Sequence, residues 1–407
     1  MFPYIQQIKV NDCFTYKNFT ILNELPDKFK HIIITGKNGS GKTTILNRIY
    51  ALIGSCFYET PFHQIHALKN NINNYPNDKL INHWKTELKK VTDIELRFYE
   101  HNQSNFSESA YDYLKRNVGK YIFSFFQAHR KVLLSDVHTV TKESDFVSQL
   151  DDPNKKEQFV SSLKQYLVNK KVYEAFDYMD SNTETQNQNN IFFQELTKTL
   201  ITVLNDKKLS LKFEKENFEF YIKMGDGRKV TFNQLSDGFS AFMSILLELF
   251  IRTDIIRKQR NDFAFNPEGI ILIDEPETHF HIEMQYEILP LLNNLFPNVQ
   301  LIVATHSPAI ISSLKKTVVF DLSTKKEIYR GIASSSFSDL MITHFGLENE
   351  FSPIADKIIE DFKKAYTEKS DEKMMALMEE YEEYLTPSLN LEIELRIAEL
   401  KAKNDKH

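Results

Sequence analysis

The sequence predicts an α/β protein: a buried sheet whose strands alternate with helices, interrupted by a largely helical insertion and followed by a helical tail. Three observations predict it. The apolar run Ile32-Ile33-Ile34 feeds straight into a glycine-rich turn and then into a stretch with helical periodicity. Two further apolar runs, Gly269–Ile273 and Val299–Thr305, follow a helical pattern that starts at Phe239. Residues 346–407 carry helix-like stretches and no strand signal. Buried strands alternating with helices indicate a sheet covered on both faces.

Taken in order, residues 1–34 read as strands at Ile5–Val10, Phe19–Leu22 and His31–Ile34. Beyond the turn, Ile45, Leu46, Ile49, Leu52 and Ile53 place one apolar stripe on a helix against the sheet. Residues 60–120 mix polar helix-like segments with a strand at Ile94–Tyr99, and Tyr121–Phe126 reads as another buried strand. Residues 155–180 are helical in period through Phe159, Leu163, Tyr166, Leu167 and Phe176. The polar, low-complexity stretch Ser181–Asn190 predicts a mobile loop. A hairpin is expected from Leu211–Lys223 and Lys229–Phe232 around Asp226-Gly227. Phe242, Met243, Leu246, Leu247 and Phe250 then form one apolar helix face, and Met374–Tyr384 and Leu391–Leu400 supply helices for the tail. The organisation expected is 1–59 as the first part of one lobe, 60–210 as the insertion, 211–345 as the rest of that lobe, and 346–407 as the appendage.

Composition bounds what such a chain does. With 42% hydrophobic and 26% charged residues it has the material for well-filled cores. A net charge of −6 argues against a surface that embraces nucleic acid everywhere, although a local basic groove would not show in that sum. Cys13 and Cys56 are too few for a disulfide framework or a four-ligand zinc site. No signal-peptide pattern opens the chain and no run approaches the ~20 apolar residues that cross a bilayer, so a cytoplasmic protein with no membrane partner is expected.

Five motifs carry chemistry. Gly36-Lys37-Asn38-Gly39-Ser40-Gly41-Lys42-Thr43, followed by Thr44, is a full P-loop pattern between a strand and a helix. Its glycines let the backbone wrap a phosphate, so that successive N–H groups and a helix N-terminus point at negative charge. Lys42 would reach the β/γ-phosphates and Thr43 would hold Mg²⁺. The apolar run Ile270–Ile273 ends in Asp274-Glu275, with Asp274 suited to Mg²⁺ and Glu275 to the attacking water. A strand-end acidic pair has a solvated turn as its bland alternative, and the P-loop ahead of it in the chain weighs against that alternative.

Leu235-Ser236-Asp237-Gly238 stands before the helix at Phe239, where Ser236 and Gly238 would make a second anion cradle, or a plain helix cap. His306, in Ala304-Thr305-His306-Ser307-Pro308, ends another buried strand and could sense a γ-phosphate. Gln127 follows the strand Tyr121–Phe126 and could bridge Mg²⁺ and water.

Together these residues resemble the ABC class of P-loop ATPases: Walker A at Gly36–Thr43, a Q-loop glutamine at Gln127, the signature at Leu235–Gly238, Walker B at Ile270–Asp274 with Glu275, and the switch His306. Asp274-Glu275-Pro276-Glu277-Thr278-His279-Phe280-His281 is similar to the OLD, RecF and SMC-related branch. The resemblance covers 1–59, 121–130 and 211–310, and compact size with a helical tail looks like the ATPase subunits of prokaryotic anti-phage systems such as Septu (PtuA) and PARIS (AriA). It implies an ABC-ATPase head, namely a P-loop sheet with an antiparallel β subdomain, that binds and hydrolyses ATP with Mg²⁺. It also implies a homodimer or higher even oligomer in which Ser236 and Gly238 of one copy complete the site of the other. Lys42, Glu275 and His306 are then the catalytic residues, and Thr43, Gln127 and Asp274 the metal-facing ones.

The departures from the family pattern narrow the reading. Residues 44–235 are too few and too poor in heptads for long coiled-coil arms. After His306 no two aspartates lie two apart, so the Asp-x-Asp pair of a TOPRIM nuclease is missing. A separate effector subunit, a nuclease, is therefore the expected partner, with nucleic acid or a phage protein as trigger. The alternative is a RecF-like DNA repair ATPase using the lysines and arginines between Lys69 and Lys131.

Overall fold

Ile32, Ile33 and Ile34 have no exposed face because β3 (His31–Thr35) lies in the interior of a six-stranded sheet. The structure is a computed structural model that describes residues 4–13, 16–22, 30–58, 61–74, 78–98, 110–117, 119–128, 134–147, 161–181, 183–278, 280–328, 353–381, 384–385 and 387–404. Two compact units divide the chain, Met1–Ser335 and Ser336–His407.

In the first unit, β3 is flanked by β11 (Thr317–Asp321) and β10 (Val299–Ala304). Outside them lie β12 (Lys326–Ile328) on one side, and β9 (Gly269–Asp274) with β5 (Ile122–Phe126) on the other, giving the order β12-β11-β3-β10-β9-β5. All pairs are parallel except β11 with β12. Gly269 is required where β9 starts, since a Cβ there would stand 2.3 Å from the Ile122 carbonyl oxygen.

A second, antiparallel sheet has the order β2-β1-β4, from β1 (Ile5–Cys13), β2 (Tyr16–Ile21) and β4 (Ile94–Phe98). The helix after the glycine turn, α1 (Lys42–Tyr58), buries Ile45, Leu46, Ile49 and Ile53 in a core shared by both sheets. Two polar contacts fix that arrangement. Arg48 on α1 grips Asp93, just before β4, with Nε and Nη2 each 2.6 Å from a carboxylate oxygen. The buried Gln300 side chain accepts the Ile5 N–H at 2.8 Å and donates to the carbonyls of Ile5 and Lys30 at 2.9 Å, tying β1 to the start of β10.

Helices α2 (Pro61–Asn74), α3 (Asp78–Val91), α4 (Ala110–Arg116) and α5 (Glu143–Val147) precede a hairpin of α6 (Leu163–Met179) and α7 (Thr183–Val203). Here the structure differs from the loop expected at Ser181–Asn190: residues 183–190 are the first turns of α7. That stretch holds no glycine or proline, and helix propagates into it from the buried half at Phe192, Leu196 and Leu200. Gln186 Nε2 closes the hairpin by donating to the Asp177 carbonyl at 3.0 Å.

Phe176 is 52% exposed because burial ends with the first half of the helix: Leu163–Lys170 is buried around nearly its whole circumference, Val168 and Asn169 included, and no residue from Lys171 to Met179 is buried. Phe159, expected in the same helix, lies outside the described residues. The expected hairpin is instead a three-stranded meander of β6 (Ser210–Glu214), β7 (Glu219–Lys223) and β8 (Lys229–Thr231). The polar run Lys215-Glu216-Asn217, followed by Phe218 at φ +51°, turns the chain where one long strand was expected.

Next comes α8 (Asp237–Arg260), buried on nearly all sides from Phe242 to Ile256. Its buried charges are matched: Glu248, 0% exposed, accepts from Ser124 Oγ on β5 at 2.5 Å and from Arg252 Nε at 3.0 Å. Asp254 accepts from Tyr166 Oη at 2.5 Å and Lys170 Nζ at 2.6 Å on α6. Helices α9 (Ile282–Leu295) and α10 (Pro308–Ser313) complete this unit. The second unit holds α11 (Pro353–Thr367), α12 (Asp371–Tyr381) and α13 (Pro387–Asn404) around its own core of Ile358, Phe362, Met374 and Ile393. Among the described residues no helix is long and apolar enough to cross a membrane.

Removing one partner of a buried pair leaves the other uncompensated, so Glu248→Ala should destabilise the first unit by ~3–5 kcal/mol, read as a lowered urea midpoint. Glu248→Leu combined with Arg252→Met should cost much less.

Candidate functional site

The carboxyl ends of β3, β10 and β9 meet at one edge of the large sheet, in the register Ile34–Ala304–Asp274. The chain leaves β3 at Thr35 and turns through Gly36, Gly39 and Gly41, whose φ values of +139°, +76° and +77° favour glycine. α1 starts at Lys42, so its first N–H groups open into the loop. Lys37, Asn38 and Gly39 are exposed, Ser40 and Thr44 half-buried. The hydroxyls of Thr35 and Ser40 are buried and take no hydrogen bond among the described residues. A backbone nest with spare hydroxyls fits a chain of phosphates.

Lys42 is only 5% exposed. Its Nζ donates to the carbonyls of Gly36 at 3.1 Å and Lys37 at 3.4 Å, and lies 2.5 Å from His306 Nε2. Burial pulls the Lys42 pKa down, while the carboxylates of Glu275, Asp274, Glu277 and Asp321 push it back up. His306 is held below its ordinary value by burial and by the Lys42 charge. The ring is therefore neutral at pH 7, and Nε2 can accept from the ammonium when the proton sits on Nδ1.

Asp274, 2% exposed, ends β9, and its Oδ2 accepts a 2.7 Å hydrogen bond from Thr43 Oγ1. Those are two hard oxygens at the mouth of a phosphate cradle, the donor chemistry that magnesium takes. Several carboxylates around one buried ammonium leave the edge short of positive charge, which also fits a divalent cation. Glu275 follows at φ +47°, with its N–H on the Ala304 carbonyl at 2.8 Å.

The structure thus brings Lys42, Thr43, Asp274, Glu275 and His306 to one edge. Gln127, exposed, stands on the neighbouring strand end, since β5 pairs with β9 up to Phe126–Ile273. Ser236 and Gly238 are elsewhere, at the start of α8. Ser236 is the exposed N-cap residue but makes no side-chain capping hydrogen bond, and Gly238 is buried. Aromatic rings join that helix start to the acidic turn: Phe280 meets Phe239 and Phe242 edge to face at 5.5 and 5.9 Å. His279, within the acidic motif, lies outside the described residues.

Three features escaped the sequence reading. Ser323 Oγ, in the turn after β11, accepts the Lys37 N–H at 2.7 Å, and Asp321 orders that turn through the Ser323 N–H at 2.8 Å and the Thr324 hydroxyl at 3.0 Å. Ser307 caps α10 by accepting the Ile310 N–H, and its hydroxyl donates to Gln285 Oε1 at 2.6 Å. Glu277 accepts from Thr305 Oγ1 at 2.7 Å and the His306 N–H at 2.9 Å. Glu277, as the third acid of Asp-Glu-Pro-Glu, and the Ser307 cap, as serine before Pro308, had local signals; the contacts of Ser323 with Lys37, Ser307 with Gln285 and Glu277 with Thr305 link residues far apart in sequence.

Residues 32–312 match the family described as "AAA domain, putative AbiEii toxin, Type IV TA system". The chain is 23% identical to the Septu protein PtuA of Bacillus thuringiensis over 88% of each chain. It is 24% identical to the Retron Vc95 probable ATPase of Vibrio cholerae over 62% of this chain and 48% of that one, spanning about half of the relative's length. Among solved structures it is similar to an Smc head domain from Pyrococcus furiosus bound to the C-terminal domain of ScpA, at 12% identity and a TM-score of 0.40, covering 80% of this chain and 95% of that one. At that score the fold rests on the sheet order described above.

Ser323→Ala should weaken ATP binding roughly two- to tenfold by releasing the glycine loop, the value of one lost hydrogen bond. Titration of the purified variant with a fluorescent ATP analogue measures it.

Proposed function

The chain belongs to this AAA-domain family of P-loop ATPases, and from that premise we propose that it binds Mg·ATP between two copies, hydrolyses it, and uses the cycle to switch a partner effector in anti-phage defence. The observation that carries the reading is the Thr43–Asp274 hydrogen bond of 2.7 Å beside a P-loop whose lysine meets His306. Mg²⁺ would be held by Thr43 and Asp274, with Gln127 on the adjoining strand end, and when bound it neutralises phosphate oxygens and orients the leaving group. The glycine loop and the start of α1 cradle the phosphates, and Lys42 places its ammonium against the charge that develops as the γ-phosphate departs. Glu275 orients the attacking water and takes its proton. His306 hydrogen-bonds the γ-phosphate and registers its loss.

The exposed hydroxyl of Ser236, not engaged as a cap, suits a role toward a second copy, where Ser236, Gly238 and the α8 N-terminus would face the first copy's nucleotide. Loss of the γ-phosphate then removes the bridge and biases a two-state assembly. The likeness to Septu and retron proteins supports a defence role over DNA repair; the effector we infer is a separate nuclease subunit, with nucleic acid or a phage protein as trigger.

Solution mass and ATP turnover, measured together for the wild type and Glu275→Gln, test this. The variant should lose turnover by about 100-fold or more while keeping or strengthening Mg·ATP-dependent association. Association indifferent to ATP in a wild type that does not hydrolyse it would leave a degenerate, non-hydrolysing scaffold instead.

A further inference from the structure

Glu277 takes no part in the hydrolysis outlined above, yet it is the side chain that joins the two catalytic turns. The chain bends at Glu275, and Thr278 returns its N–H and hydroxyl to the Glu275 carbonyl at 3.3 and 2.9 Å. That tight turn carries Glu277 from the end of β9 to the end of β10. There Oε1 accepts from Thr305 Oγ1 at 2.7 Å and from the backbone N–H of His306 at 2.9 Å. Thr305 is itself anchored, its N–H on the Ile34 carbonyl at 3.0 Å and its Oγ1 taking the Ser307 N–H at 2.9 Å. The His306 ring then reaches Lys42. The second carboxylate oxygen of Glu277, Oε2, is buried and takes no hydrogen bond among the described residues.

We propose that Glu277 is a positioning residue: by holding the His306 peptide it sets where the imidazole stands, and so the angle from which Lys42 and His306 approach a γ-phosphate. This rests on the ATPase reading. Two donors converge on one oxygen, so the task requires a fixed acceptor and not a second charge. Glutamine at 277 keeps such an acceptor and alanine does not. Valine at 305 removes one donor to Glu277, and with it the acceptor of the Ser307 N–H, while filling the same volume.

The test compares full-length wild type, Glu277→Ala, Glu277→Gln, Thr305→Val, His306→Ala and the Glu277→Ala/His306→Ala double variant. Steady-state hydrolysis and ATP affinity are measured separately. Histidine-ring NMR signals of the nucleotide-free proteins are recorded as well, with the His306 signal identified by its absence in His306→Ala. Glu277→Ala should lower kcat about 10- to 100-fold, the scale of a slightly misplaced catalytic group, with ATP affinity little changed. Thr305→Val should fall in between, Glu277→Gln should recover most of the rate, and the double variant should be no slower than His306→Ala alone. The His306 signal should move in Glu277→Ala and stay in Glu277→Gln.

Equal damage by glutamine and alanine would mean that the negative charge acts directly and would overturn positioning, as would additive losses in the double variant. Should Glu277→Ala fail to fold, Thr305→Val and Glu277→Gln decide. If the wild type hydrolyses no ATP, the ATPase reading fails on its own, and the ring signals still judge this one: an unmoved His306 signal in Glu277→Ala, or in Thr305→Val where alanine does not fold, sinks it.

Discussion

Three buried parallel strands hydrogen-bond in the register Ile34–Ala304–Asp274, and the candidate site inherits its geometry from that pairing. Each strand ends one or two residues before a group with chemistry: the glycine loop after Thr35, Glu275 after Asp274, His306 after Thr305. Parallel pairing alone puts all of them at one edge, because antiparallel neighbours would send alternate carboxyl ends to opposite sides. A slip of one residue in β10 would move His306 away from Lys42 and break the Glu275 N–H bond to Ala304. Gln300 guards against that slip from the other end of the strand, since its amide is fully engaged only with Ile5 and Lys30 in place.

What the edge then offers is an imbalance. Burial disfavours the Lys42 ammonium and surrounding carboxylates favour it, so its charge is kept in a poorly solvated place at the carboxylates' expense. His306 stays neutral beside it, because a second positive charge there would be both desolvated and repelled. Such a site is prepared for a polyanion arriving with a cation, and the glycine loop supplies the directional part of that recognition through backbone N–H groups that no side-chain substitution can replace.

The central features were legible because their signals are short-range. A glycine pattern reports a backbone that must adopt positive φ, an isoleucine run reports a strand covered on both faces, and an acidic pair at its end reports a strand terminus. Ser181–Asn190 misled because polar composition was read as disorder, when the deciding fact was the apolar stripe of Phe192, Leu196 and Leu200 downstream. Phe176 misled for the converse reason: apolar in type, it lies in the half of its helix that extends past the buried segment Leu163–Lys170. Ser323 and Phe280 could not have been read at all, since Ser323 acts on a loop that precedes it by 286 positions and Phe280 on a helix start that only the fold brings near.

The bond from Ser124 to Glu248 also has a mechanical meaning. β5 carries Gln127 at its tip, and α8 carries Ser236 at its start. Sliding one along the other would strip a fully buried carboxylate of the Ser124 hydroxyl while Arg252 stayed in place, so the pairing resists relative slip by the ~1.5–3 kcal/mol of one hydrogen bond to a charged group.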